Sequence, residues 1–127
     1  MINKGDNRRD FRRRLGRRGE AFAAQFYRHR GAEVIAANVR YAVGEIDLIV
    51  READGTLVFV EVKTRSSRAY GVAEAVTGAK LARMRKAARH WLDGRPLSSV
   101  RFDVVALTQA GAGFDLEHFA GVEHGSR

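Results

Sequence analysis

Two short apolar runs on either side of Asp54-Gly55 constrain this chain more than any other feature of it. Asp-Gly between apolar segments is a strong hairpin signal, because both residues tolerate the left-handed backbone of a tight turn. One expected strand runs Glu45 to Arg51, with Ile46, Leu48 and Val50 on one face. Its partner runs Thr56 to Thr64 and carries Leu57, Val58, Phe59, Val60 and Val62. A strand so apolar belongs at the centre of a sheet, covered on both faces.

The rest of the chain supplies the cover. From Leu15 the residues Leu15, Gly19, Phe22, Ala23 and Phe26 recur at spacings of three and four, which predicts a helix. Arg28, His29, Arg30 and Gly31 end it. A short strand follows at Glu33 to Ala37, then a connection over Asn38 to Gly44. Arg65 to Gly71 reads as a loop. A second helix runs from about Val76 to Leu92, with Leu81, Met84, Ala88 and Trp91 as its buried stripe, and Asp93, Gly94 and Pro96 stop it. Strands at Val100 to Leu107 and Phe114 to Phe119 complete the order α-β-β-β-α-β-β, an α/β fold. Trp91, at helical spacing, is expected in the core.

At 127 residues the chain is expected to hold one domain. It has no cysteine, which excludes disulfides and thiolate metal sites and fits a reducing cytoplasm. No apolar run approaches the roughly 20 residues of a membrane span, and no apolar stretch follows the charged N-terminus as a secretory signal would require. The net charge is +8, and Met1 to Arg18 carries 8 − 2 = +6 of it. The expected organisation is a flexible arginine-rich arm over 1–14, a folded domain over 15–120 and a tail over 121–127. The arm, with Arg12, Arg13 and Arg14 leading to Arg17 and Arg18, suits a polyanion, since neutralising phosphates releases counterions. The plain alternative is a solvated tail. Apart from Phe11 the arm lacks the apolar face that membrane binding requires.

Three charged residues interrupt the central strands. Asp47 breaks Ile46-Leu48-Ile49-Val50, and Glu61 and Lys63 break Val58 to Lys63. Strand side chains alternate, so Glu61 and Lys63 share a face. The turn at Asp54-Gly55 sets Asp47 close to opposite Glu61, within one step of register. Two carboxylates within roughly 4 Å repel by about 4 kcal/mol at an effective dielectric of 20. A hard divalent cation such as Mg²⁺ or Mn²⁺ offsets that repulsion and polarises a phosphate. Lys63 is then placed to orient the attacking water or stabilise developing charge. The alternative is a plain salt bridge of Lys63 with Glu61 or Asp47.

Gly19-Glu20, Asn38, Gly44-Glu45-Ile46-Asp47-Leu48-Ile49, Phe59-Val60-Glu61-Val62-Lys63-Thr64-Arg65 and Lys80 together resemble the YraN-like family of bacterial proteins, over about Leu15 to Phe119. That family looks like a branch of the restriction-endonuclease-like superfamily and is similar to archaeal-type Holliday junction resolvases. The resemblance implies a mixed sheet flanked by helices, with Asp47 and Glu61 as metal ligands and Lys63 as the catalytic lysine. It also implies a site role for Glu20, on the helix before the first strand. Ile46 stands where the superfamily's nominal signature has proline.

Weaker candidates surround this set. Glu20 is equally a first-turn glutamate favoured by the helix dipole. Glu45 is either a further ligand or the solvated end of its strand. Lys80, Arg83 and Lys86 form a basic helix face that could track phosphates or simply be solvated. Arg65, Arg68 and Tyr70 lie in the loop after the catalytic strand, where arginine and an aromatic suit phosphate and base. His29, His90, His118 and His124 show no metal-ligand spacing and are expected at the surface or at helix ends. The reading is a metal-dependent endonuclease of structured or branched DNA, DNA being favoured over RNA. The alternative is a non-catalytic nucleic-acid-binding module. A homodimer would suit a symmetric junction.

Overall fold

A computed structural model of the chain describes residues 4–67 and 78–122. The elements are α1 (Lys4–His29), β1 (Glu33–Tyr41), β2 (Gly44–Arg51), β3 (Leu57–Arg65), α2 (Gly78–Leu92), β4 (Val100–Ala110) and β5 (Gly113–Phe119). The expected order holds. The start of the first helix is corrected: α1 is already helical from Lys4 rather than from Leu15. Arginine is a good helix former, and Asp10 lies one turn from Arg13 and Arg14, so the segment needs no core contact to continue the helix. Arg68, Tyr70, Val76 and His124 lie outside the described residues.

The sheet has the order β1-β2-β3-β4-β5. β1, β2 and β3 form an antiparallel meander through the Asp54-Gly55 turn. β4 runs parallel to β3, which demands a crossover, and α2 lies within that connection. β5 returns antiparallel to β4. β1 is longer than expected, because Tyr41 pairs Gly44 across the two-residue turn Ala42-Val43.

Both faces of the sheet are covered. α1 packs Ala23, Ala24 and Tyr27 on Leu48, Val50, Val58, Val60, Val62, Val105 and Leu107. On the other face, α2 packs Met84, Ala87, Ala88 and Trp91 on Ile46, Ile49, Leu57 and Phe59. This explains why β3 is apolar almost throughout. It also corrects the expected shared face of Ile46, Leu48 and Val50: Ile46 belongs to the α2 core, the other two to the α1 core. Strict alternation fails between Ile46 and Leu48, at Asp47. Trp91 is buried as expected, edge-on to Phe59, with the Arg95 guanidinium 3.7 Å from its ring centroid.

Gly19 sets how closely α1 approaches the sheet. A Cβ there would collide with the Thr64 side chain on β3. Gly19→Ala should therefore push the helix outward and cost about 1–3 kcal/mol, as overpacking typically does. Urea unfolding checks this, and an unchanged midpoint would refute the close-approach role.

At the far end of α1, Asp103 is fully buried and paired on every side. It accepts hydrogen bonds from the Tyr27 hydroxyl (2.7 Å), Arg101 Nε (2.9 Å) and the Gly121 amide (3.0 Å). His118 Nε2 lies 2.9 Å from the same carboxylate. The expectation of a surface His118 is thus corrected: its ring packs edge-on against Phe26 and Tyr27. Alternation along β5 turns it inward, and a buried carboxylate needs the donor.

Candidate active site

The break in alternation at Asp47 comes from gaps in both ladders that flank it. On the β1 side, Ala37 pairs Leu48 and Val39 pairs Ile46, while Asn38 between them adopts φ 53°. Asparagine tolerates that left-handed backbone better than most residues. On the β3 side, the ladder stops at Leu48 opposite Val60. One further step of the same register would face Asp47 with Glu61. Instead the Val62 amide donates to Asp47 Oδ2 at 2.8 Å. A carboxylate oxygen takes the place of a backbone carbonyl, and the strands part around it.

Glu61 and Lys63 follow the alternation of β3 and project on the α2 side, with Leu57 and Phe59. Glu61 is buried, and its Oε2 lies 3.1 Å from Lys80 Nζ on α2. The plain alternative expected a salt bridge from Lys63, and the structure instead pairs Glu61 with Lys80. Among the described residues, Lys63 makes no ion pair with Glu61 or Asp47. Lys80, expected on a helix face that could track phosphates or simply be solvated, stands in the lining of the site. Helical spacing within α2 carried no signal of its pairing with Glu61.

Two Gly-Glu pairs bring further carboxylates to the same place. Gly19 seats α1 against Thr64, and Glu20 follows it. Gly44 seats the β1–β2 turn against α2, since a Cβ there would collide with the Arg83 carbonyl, and Glu45 follows it. Glu20, Glu45, Asp47, Glu61, Lys63 and Lys80 line one open hollow, with Gly16, Val62 and Thr64 completing its wall. The structure thus brings together all four expected catalytic residues, and Glu45 with them.

Electrostatics mark the hollow as short of positive charge. Burial, then repulsion from Glu61, pushes the Asp47 carboxyl up from 3.8 to about 7, with Glu20 and Glu45 adding to the rise and the Val62 amide opposing it. Burial also raises Glu20, against a side-chain hydrogen bond with Asn38 and the nearby Arg40. Asn38 therefore does two things: it opens the ladder beside Asp47 and holds Glu20. Its turn-prone residue type was legible in sequence; its partner was not.

The donor set is oxygen only, hard and anionic, which matches Mg²⁺ or Mn²⁺ rather than a softer ion. Among the described residues no three histidines or carboxylates converge on one point as a complete cage. Mg²⁺ usually takes one or two carboxylates and keeps several waters, so Asp47 Oδ1 with Glu61 is a fitting pair.

The other expected contacts divide. Arg65 Nε donates to Thr108 Oγ1 at 3.0 Å, so this side chain braces β3 against β4. Arg83 lines a hollow that adjoins the site through Glu45. Arg12, Arg13, Arg14 and Arg17 are exposed on α1. Arg18 donates to the Ala112 carbonyl and stacks its guanidinium 5.3 Å from the Phe114 centroid. Among the described residues no helix is long and apolar enough to cross a membrane.

Comparison with known proteins gives a consistent picture of kinship. The model of the uncharacterised protein family UPF0102 matches residues 19–107. A UPF0102 protein of Corynebacterium efficiens is 50% identical over 118 residues, 91% of this chain and 97% of its own length. A UPF0102 protein of Frankia casuarinae is 46% identical over 111 residues, covering 84% of this chain and 93% of the relative. One of Rhodococcus jostii is 51% identical over 96 residues, 73% of this chain and 80% of its own. The matched span contains Glu20, Glu45, Asp47, Glu61, Lys63 and Lys80 and leaves out the first 18 residues.

Proposed function

The chain belongs to UPF0102, the YraN-like family, and from its site we propose that it hydrolyses phosphodiester bonds in nucleic acid with a divalent metal ion, as an endonuclease of structured or branched DNA. One observation carries the reading. Asp47 leaves the strand ladder to stand beside Glu61, where their charges oppose each other, on an open surface with two lysines at hand. Lys80 offsets Glu61, and a further positive charge entering beside Asp47 would relieve the repulsion that remains.

Asp47 and Glu61 would hold Mg²⁺ or Mn²⁺. When bound, the ion supplies charge neutralisation at a phosphate oxygen and a water acidified toward neutral pH. The chain's own groups supply the rest. Lys63 shares the Glu61 face and donates to a non-bridging phosphate oxygen as negative charge grows there. The Val62 amide fixes Asp47 through Oδ2 and leaves Oδ1 for the ion. Glu20, raised by burial and held by Asn38, sits at the rim as a proton acceptor for the attacking water. Cytoplasmic nucleic acid is the partner this reading calls for.

The ion pair of Lys80 with Glu61 favours a second reading, in which a lysine stands where the metal would and the chain only binds nucleic acid. Cleavage separates the two. On the first reading, duplex, flap and four-way DNA incubated with Mg²⁺ or Mn²⁺ is cut, chelator abolishes cutting, and Glu61→Gln or Lys63→Ala lowers the rate on the order of 10²-fold or more. Equal cutting by those variants, or none by the parent with either metal, defeats the enzyme reading.

A further inference from the structure

We propose that the first half of α1 is a grip for double-helical nucleic acid: a row of guanidinium groups, Arg9 and Arg13, in line with the hollow, lies along one flank of the substrate. The inference rests on the proposed function for what happens at the hollow, but not for the binding itself.

Two contacts fix the direction of the helix. Gly16 and Glu20 line the hollow, and Tyr27 reaches Asp103 at the far end. The turns before Gly16 therefore project past the site, away from the sheet. Residues 7–14 are exposed on every side, so that stretch owes nothing to the core. A rod of charge that extends the molecule beyond its own fold has a use only against something outside it.

The arginines are not equivalent. Arg9, Arg13, Gly16 and Glu20 are spaced four, three and four residues apart, which puts them on one helix face. At about 1.5 Å per residue, Arg13 lies about 10 Å and Arg9 about 16 Å back from Glu20 along the axis. Since each strand of a duplex rises about 3.4 Å per nucleotide, those positions match phosphates roughly three and five steps from the bond at the hollow. Arg14 and Arg18 stand about 120° and 160° from that line at about 100° per residue. Arg18 is also occupied with Ala112 and Phe114.

The same face argues for a duplex rather than a single strand. Single-strand sites interleave cations with aromatic platforms on which bases stack. The only aromatic residue among 7–18 is Phe11, and helical spacing puts it about 180° from the Arg9–Arg13 line. The row offers contacts to phosphates and nothing for bases.

Charge-matched pairs test this. Fluorescence anisotropy of a labelled duplex of about 20 base pairs, titrated with the full chain in chelator across salt concentrations, gives the number of phosphates neutralised. Arg9→Ala with Arg13→Ala should flatten the log–log salt slope by about 1.8, at about 0.9 per lost phosphate contact. Arg14→Ala with Arg18→Ala removes equal charge and should leave the slope within error. Alanine preserves the helix, which circular dichroism verifies. Equal losses from both pairs would mean diffuse attraction and overturn the proposal. So would no loss from either, no binding by the parent, or a single strand bound as tightly as the duplex. Chelator keeps cleavage out of the measurement. Slope loss confined to the Arg9–Arg13 pair in a protein that never cuts defeats the nuclease reading alone, and cutting with unaltered slopes defeats the grip alone.

Discussion

Asp47→Asn should abolish metal-dependent cleavage, by on the order of 10³-fold or more, and at the same time make the metal-free protein more stable. The two effects have one cause. Asp47 is pressed up to about 7 by burial and by Glu61, so folding holds its proton on where an unfolded chain would release it near 3.8. Between those values the folded state binds more protons than the unfolded one, so stability from this group falls as pH rises through the window. Below about pH 4 the penalty is absent; above about pH 7 it is complete. Asparagine keeps an oxygen for the Val62 amide and carries no charge. The variant should therefore gain about 1–2 kcal/mol at pH 8, allowing for solvent screening of a part-exposed group, and nothing near pH 4. Calorimetry should show Mn²⁺ raising the melting temperature of the parent, with proton release near pH 7, and leaving the variant unmoved. A variant less stable than the parent at pH 8 would show that Asp47 is a structural strut and its repulsion harmless.

The hairpin was legible because it rests on local chemistry. Asp54-Gly55 makes the turn, and the apolar residues of β3 have nowhere to go but between two helices. Turn and pattern together fixed the register closely enough to set Asp47 against Glu61. What they missed was the consequence at Asp47. Alternation assumes an unbroken ladder, and the ladder breaks where Asn38 turns left-handed and a side chain replaces a carbonyl. That is why Ile46 joins the other core. The pairing of Lys80 with Glu61 was out of reach for a related reason. The distance between the two depends on how the chain crosses from β3 to α2, and a helical wheel contains no such information. Gly19 and Gly44 were visible as a helix-stripe position, a connection end and parts of a resemblance, not as close-approach points. Their work, letting α1 meet Thr64 and the β1–β2 turn meet Arg83, appears once the contacts are known. The arginine arm was read as one charged segment, with Arg12, Arg13, Arg14, Arg17 and Arg18 taken together; as part of α1 these residues point in different directions around the helix axis.

Asp103 is the opposite case, a buried carboxylate whose charge stabilises the fold. Asp103→Ala should cost about 3–5 kcal/mol, because it strands buried donors rather than merely removing a contact. Burial alone would raise this carboxyl; the donors from Arg101, His118, Tyr27 and Gly121 outweigh it and hold the group down at about 2. A carboxylate only accepts, so His118 Nε2 and the Tyr27 hydroxyl both spend a proton on it, and burial with that bond pushes the Tyr27 phenol upward. Arg101 divides its guanidinium between Asp103 and Glu52, at 2.6 Å from the latter, and so ties β4 to the β2–β3 turn. Because the folded value lies below the unfolded 3.8, the folded state binds fewer protons between the two. This contribution is whole above about pH 4 and drains away as pH falls through about 2. Acid titration of the parent should show stability lost over that interval, and Asp103→Asn should lose less than alanine and show a flatter acid limb. If alanine does not fold, the asparagine variant alone decides the matter, and an acid limb as steep as the parent's would deny Asp103 this role. Tyr27→Phe should cost only about 1 kcal/mol, since it deletes one donor and leaves the carboxylate with the others. The molecule therefore holds two aspartates of opposite sign in their effect on stability, Asp103 fully buried and Asp47 half-buried. One is surrounded by donors and anchors α1, and the other stands among acids at the hollow, where burial and Glu61 hold its carboxyl well above the usual carboxylate range.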